Sequence, residues 1–493
     1  MAAERRGLVG RATIGWIAAA QAVACASSLE PARDHAPLAI ASSAPSGLSL
    51  VWRNTELHPI KQPMAIGDVV IGVVADDRKA FVVSIDASTG RKLWQQRMTH
   101  SGIARGLQIS VTKIGEDKVA YLQLINEDSA FAHLVVADAR TGREIARSPE
   151  AVFASRPIVC ANGRDVCAIS TSPLERKRQY RLDLTSGAYV VENDRMLRGT
   201  RFIDETGLLD LGDRPGNTVG LLRNGRVQWL TPLAAAFADG SSTDDGWSWN
   251  HDADQRVYIG WVGSAGETSG QYYVHDLASS ATAGLSELTG EVLWRDNGSS
   301  FACSLNTTDY RVRCRMRGKL WYRYGESFVS ELDVTVEGFD PVTGKTTWSL
   351  PLGFARELND DAIRPAVAGP GRVVVSGARG PAILDYANGT LDTPEPGATF
   401  WCMARVRYEL APPYRARTAE WKYTRRGGTH ASICDERGRP ATALPSIAAT
   451  MAAGARAGDY VVIATRDGFL GFKAPRRDEA VPALSVHFPG RTR

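Results

Sequence analysis

The stretch Ile-Asp-Ala-Ser-Thr-Gly-Arg-Lys-Leu-Trp at residues 85–94 recurs, in weakening copies, along most of the chain. Asp86-x-x-Thr89-Gly90 leads to Trp94, and Asp138-x-x-Thr141-Gly142 and Asp183-x-x-Ser186-Gly187 follow. Glu287-x-Thr289-Gly290 leads to Trp294, Asp340-x-x-Thr343-Gly344 to Trp348, and Asp385-x-x-Asn388-Gly389 is a degenerate copy. Another survives as Leu-Leu-Arg-Asn-Gly-Arg-Val-Gln-Trp at residues 221–229. Each copy has a local physical meaning. The Asp carboxylate and Thr hydroxyl accept backbone N–H bonds across a tight turn, and Gly takes the positive φ that a side chain resists. The flanking segments read as strands, so each copy is a hairpin loop within a small antiparallel sheet. The terminal Trp94, Trp294 or Trp348 offers a large flat apolar surface for packing one such blade on the next.

Modules of roughly 40–50 residues, each built of several short strands and unable to bury its own faces, indicate an all-β fold, a β-propeller of four-stranded antiparallel blades. No amphipathic stretch of helical length recurs, and 47 Gly and 24 Pro punctuate the chain as turns do. Strand-like runs count to eight blades, with seven as the alternative because residues 399–445 are hard to apportion. Residues 48–52 have no partner of their own and are expected to pair with 460–472, closing the ring so that no strand edge is left open.

This spacing of strand, Asp-x-x-Thr-Gly-Lys/Arg-x-x-Trp and strand resembles the PQQ-like (quinoprotein-type) repeat, and with the N-terminal features below the chain resembles the BamB-like exported lipoproteins. The resemblance covers residues 48–472 and implies the propeller rather than an activity. In the quinoprotein dehydrogenases of this family the quinone lies over calcium, between a Trp and a disulfide of adjacent cysteines. This chain has no Cys-Cys pair, and no carboxylate and asparagine set matches the calcium ligands, so the expectation is no cofactor and no catalytic residue, with a quinoprotein dehydrogenase as the alternative.

Arg5, Arg6 and Arg11 precede a short apolar run at residues 12–24, and Ala22 and Ala24 precede Cys25. Residues 1–24 read as a signal peptide, too short for a membrane span. The segment Ala-Val-Ala-Cys resembles a bacterial lipobox, which makes Cys25 the lipid attachment site; an ordinary signal-peptidase cut there is the alternative, since Ala22 stands where Leu or Val is usual. The paired arginines are similar to a twin-arginine signal. Residues 25–47, rich in Ala, Ser and Pro, read as a flexible tether, residues 48–473 as the propeller, and 474–493 as a tail. The expected location is the cell envelope, anchored to the outer face of the cytoplasmic membrane or secreted. With Cys25 set aside, six cysteines remain, and neighbour pairing gives Cys160 with Cys167, Cys303 with Cys314 and Cys402 with Cys434, as suits an exported protein.

A net charge of +4 from 58 basic and 54 acidic residues excludes an overall field suited to nucleic acid. Local patches are another matter. In Tyr-Arg-Val-Arg-Cys-Arg-Met-Arg-Gly, strand alternation sets Arg311, Arg313, Arg315 and Arg317 on one face, a candidate anion-binding row or a charged edge strand. Arg405, Arg407, Arg415 and Arg417 repeat the alternation. Residues 239–255 offer Asp244, Asp245, His251, Asp252 and Asp254 but fit no calcium-loop template, and read as a solvated loop without metal. The Asn297, Asn306 and Asn388 sequons lie in expected turns. The whole reads as a non-enzymatic binding or scaffold propeller for a protein or an anionic envelope polymer, reaching the membrane through its N-terminal lipid; a solute-binding sensor is a further alternative.

Overall fold

The first motif copy closes a four-stranded sheet, Met64–Ile66, Val69–Asp76, Lys79–Asp86 and Lys92–Met98, in simple meander order. Its two middle strands are almost wholly buried, because a propeller blade is covered on both faces by its neighbours. The structure, a computed structural model, describes residues 48–474 apart from 78, 100–108, 127–130, 161, 172–176, 194–200, 203–207, 211–217, 224–225, 238–240, 265, 302–310, 324–325, 355–365, 378–379 and 411–422. Further four-stranded antiparallel units of the same order follow, giving a β-propeller. The segments read as a signal peptide and tether, with Cys25, and residues 475–493 lie outside the described residues.

The turns form as their residues dictate. The Asp138 carboxylate accepts from the N–H groups of Arg140 and Thr141 at 3.1 and 2.7 Å, and the Thr141 hydroxyl adds a bond of 2.8 Å. Asp340 repeats this with Val342 and Thr343. Gly90, Gly142, Gly187, Gly290, Gly344 and Gly389 all adopt φ between 69° and 72°.

Each indole, moreover, docks on the turn of the next unit. Trp94 lies over Gly142 and donates its N–H to the Ala139 carbonyl at 3.0 Å. Trp294 lies over Gly344 and donates to Pro341, and Trp348 lies over Gly389 and donates to Tyr386, at 2.8 and 3.1 Å. Trp229 does the same at Gly290 and Glu287. The glycine is thus required twice, for its φ and because any Cβ there would enter the ring above it.

The two chain ends zip together. Ser49–Asn54 pairs antiparallel with Gly468–Lys473, from Ser49 opposite Lys473 to Asn54 opposite Phe469, so the sheet Ala455–Ala457, Tyr460–Thr465, Gly468–Lys473 is completed by the first strand of the propeller. Trp52, on that strand, docks over Gly90 and donates to Ala87 at 2.8 Å, carrying the contact across the closure.

Residues 399–445 resist apportioning for a physical reason: they begin with an insert rather than a blade. Thr399–Leu410 and Tyr423–Asp435 form a long hairpin. It pairs with the innermost strand of one unit at Ala366–Cys402 and Val367–Trp401, and bridges to the next at Ala431–Thr465. The helix Ile447–Ala453, which the sequence reading did not foresee, follows it and is capped by the Ser446 hydroxyl; Trp401 is buried and donates to Thr450.

Two expectations follow for stability. Gly187 has the motif φ with nothing above it among the described residues, whereas a Cβ on Gly344 would stand 2.5 Å from Trp294. Gly187→Ala should therefore cost about 1–2 kcal/mol for the left-handed backbone, and Gly344→Ala about 1–3 kcal/mol more for overpacking; equal losses in denaturant titrations would refute the docking role. Backbone bonds from Ser186 and Thr185 hold the Asp183 carboxyl at about 2, below its ordinary 3.8, and Asp86, Asp138 and Asp340 are also lowered by their turns. A carboxyl depressed on folding stabilises fully above its unfolded pKa, so this contribution should be lost as pH falls from about 4 toward 2. Asp183→Asn should flatten that dependence of the unfolding midpoint.

Candidate functional site

In each unit the turn between first and second strands and the motif turn share one face, the motif face; the turns between second and third strands define the far face. On the motif face a cavity of about 830 Å³ opens across the inner turns of three units. Its walls include Asp252, Asp254, Arg311, Arg372, Tyr386 and Met403, with the helix end at Met451. The Asp252 carboxylate, nearly buried, accepts from the Gln255 N–H at 3.1 Å, which closes the turn, and from Arg311 Nε at 3.3 Å. Arg372 pairs with Asp392. His251 Nε2 meets Glu287 at 3.0 Å, and Arg223 donates to the same carboxylate at 2.5 Å. Burial alone would raise the Glu287 pKa; the Arg223 and His251 bonds outweigh it and hold it below the usual carboxylate range. The cavity therefore presents charges of both signs already engaged with one another, an arrangement suited to recognition.

The four-arginine row does not form an open anion-binding face. Val312–Arg323 is not an edge strand: it lies between Ser299–Ser300 and Glu326–Phe339. Arg313 is fully buried, 4.7 Å from the Phe339 ring centroid and 5.9 Å from that of Trp294. It pairs with Glu337 at 3.2 Å and Asp296 at 3.3 Å, and donates to the Gly344 carbonyl and the Thr346 hydroxyl. Arg315 binds the same two carboxylates at 2.8 Å. Arg311 is committed to Asp252, and Arg317 is exposed. Val312, Cys314 and Met316 are buried, as alternation requires. Sequence spacing could not reveal this, because Glu337 reaches Arg313 only through cross-strand register and Asp296 only through the neighbouring unit. Arg313→Ala would leave the buried Glu337 and the partly buried Asp296 to Arg315 alone and remove the side chain packed beside the Trp294 ring, and should cost about 1.5–3 kcal/mol in denaturant unfolding.

Cys160 and Cys167 are bonded, as are Cys402 and Cys434 at the root of the long hairpin. Cys314 is disulfide-bonded, and Cys303 lies outside the described residues. The loop expected over residues 239–255 is instead largely a strand, Ser241–Asp252, paired with the buried Val257–Ser264; only residues 253–256 turn. Among the described residues no three His, Cys, Asp or Glu side chains are grouped to hold a metal. The described disulfides span 7 and 32 residues. Asn297 ends an outer strand and Asn388 sits in a motif turn; Asn306 is outside the described residues.

The far face differs in kind. Val312–Arg323 and Glu326–Phe339 run 12 and 14 residues, and Thr399–Leu410 and Tyr423–Asp435 run 12 and 13, against 8 for the middle strands of the first unit. The excess length projects beyond the blades. Gly318 and Glu331, at φ 127° and 57°, sit where the register of the first pair shifts. Beyond them the strand pairs with the hairpin Gly266–Ser269 and Tyr272–Asp276, where Tyr272 meets Trp321 edge to face at 5.9 Å. No helix among the described residues is long and apolar enough to cross a membrane.

Residues 22–175 match the family described as outer membrane protein assembly factor BamB. Over that stretch the chain is similar to this family, and the repeated turns and closed strand pairing make the fold a β-propeller. No curated protein matches it in sequence. Similar solved structures include BamB from Moraxella catarrhalis, at 12% identity over 87% of this chain and 100% of that one, with a TM-score of 0.34. Quinohemoprotein alcohol dehydrogenase from Comamonas testosteroni is 13% identical over 73% of each chain, with a TM-score of 0.37. Sqt1 from Saccharomyces cerevisiae is 9% identical over 85% of this chain and 97% of that one, also at 0.37. At such scores the architecture rests on the chain's own pairing.

Proposed function

We propose that the chain is an exported, membrane-anchored propeller acting as a non-enzymatic binding module, and that it holds a protein partner on its far face. The observation that carries this reading is the pair of long hairpins rising from that face, where nothing in the blade architecture calls for the added length. Loops and extensions set on a rigid scaffold are where recognition concentrates. We count eight blades, taking the sheet closed by Ser49–Asn54 as one and the 399–435 hairpin as an insert. Disulfides accord with an oxidising compartment, residues 1–25 carry the export and acylation pattern, and the matched family is named for outer-membrane protein assembly. The paired charges of the motif-face cavity support binding over proton transfer.

A photo-crosslinking residue at Tyr272 should capture an envelope protein, whereas one at Lys345, on the motif face, should not. Equal capture at both positions would remove the assignment of the face. Dye reduction with alcohols after addition of calcium and pyrroloquinoline quinone would replace the reading with an oxidoreductase. Mass spectrometry of the mature N-terminus is expected to find Cys25 acylated.

A further inference from the structure

We infer that the motif-face cavity is a second binding site, for a short zwitterionic peptide of three or four residues with both ends free; this goes beyond the far-face reading above and does not depend on it. The cavity, of about 830 Å³, has the size of a small-ligand site and exceeds what a single amino acid fills. One wall is made by elements that the ring does not require. Met403 comes from the inserted hairpin and Met451 from the end of the helix that follows, and both pack on the core beneath them. Val367 and Val373 extend this apolar side. Thioether side chains adapt to irregular apolar groups, which suits a site for peptide side chains.

Backbone is also on offer. The Gly369-Pro370-Gly371 turn lines the cavity without a large side chain, and at Gly371, with φ 63°, nothing described lies within 4 Å of where a Cβ would stand. The closing carbonyls of a helix lack intrahelical partners. Met451, Ala452 and Ala453, which end the helix and line the cavity, therefore add acceptors for the N–H groups of a peptide.

The charges choose the ends of the ligand. Asp252 and Arg311 are engaged with each other at 3.3 Å. Asp254 is exposed and has no partner among the described residues, which leaves a carboxylate for an ammonium. On the turn two units on, Arg372 gives one Nη to Asp392, while its Nε has no hydrogen-bond partner and Asp385 stands 4.0 Å away. A guanidinium carries five donors, so this one keeps capacity for a carboxylate. Between these two turns lies the unit that contributes Arg311, so the ligand's opposite charges must be set apart. An amino acid carries both on one α-carbon, whereas three or four extended residues separate them by roughly 10–14 Å. A diamine or a dicarboxylate would satisfy one end and be repelled at the other.

The test is isothermal titration calorimetry of the full chain with the tetrapeptide Leu-Ala-Ala-Leu, its N-acetylated form, its C-amidated form and the form blocked at both ends. The free peptide should bind with a Kd below about 1 mM, and each block should weaken binding about fivefold. Asp254→Asn should bind the free and acetylated peptides equally while still rejecting the amidated one, and Arg372→Gln should show the reverse, a crossed pattern that misfolding cannot produce. Asp117→Asn, on the corresponding turn of another unit, should match wild type. Failure of the free peptide to bind at about 1 mM overturns the inference. Equal binding of the free and doubly blocked forms overturns it as well, as does an acetylation penalty that survives in Asp254→Asn.

Discussion

The structure depends on an indole laid over a glycine. At five positions in the described ring, a Trp at the outer strand of one unit covers the motif glycine of the next and gives its N–H to a carbonyl of the same turn. The contact joins three requirements that would otherwise be separate. The glycine must take φ near 70° for the turn to close, its missing Cβ makes the flat seat, and the turn carbonyl satisfies the indole donor where burial would make an unpaired N–H costly. One short motif therefore specifies both the hairpin within a unit and the joint between units.

Where the indole is missing, other cross-links take its place. Gly187 has no aromatic above it, because the outer strand of the preceding unit, Glu144–Arg147, holds Ala146 where other units have Trp. That same unit carries the Cys160–Cys167 disulfide and a polar cluster in which buried Asp165 is held by Arg181 at 2.9 Å, Asn162 at 2.7 Å and the Leu184 N–H at 3.1 Å. The outer strand Tyr189–Asn193 likewise holds Val191 in place of a Trp, and a further lapse falls where the 399–435 hairpin is inserted, where Cys402–Cys434 and the buried Trp401–Thr450 bond secure the joint. Cys314 is an exception, since it lies in a unit that also receives Trp294.

What could be read from sequence divides along the same physical line. The turns, their glycines and the closure of residues 48–52 on 460–472 were legible because each is written in local residues or forced by an open edge. The arginine row was misread because its partners Asp296 and Glu337 are set by register and inter-unit packing, which spacing along one strand does not encode. The segment 239–255 was misread because Ser, Asp and Gly favour turns locally, whereas pairing with the wholly buried Val257–Ser264 overrides that preference. Trp52 was seen only as part of a closing strand; its role as a dock needed the position of Gly90.

The docking also divides the molecule's two faces by freedom. On the motif face five motif turns among the described residues seat a neighbouring Trp, so lengthening one of them would disturb a joint. The turns between second and third strands bear no such duty, and it is there that the chain extends its strands. The charges follow suit: the arginines within the blades, Arg313, Arg315 and Arg181, are neutralised by carboxylates of the same or the adjoining unit, whereas the sequence from 405 to 426 holds seven basic and two acidic residues.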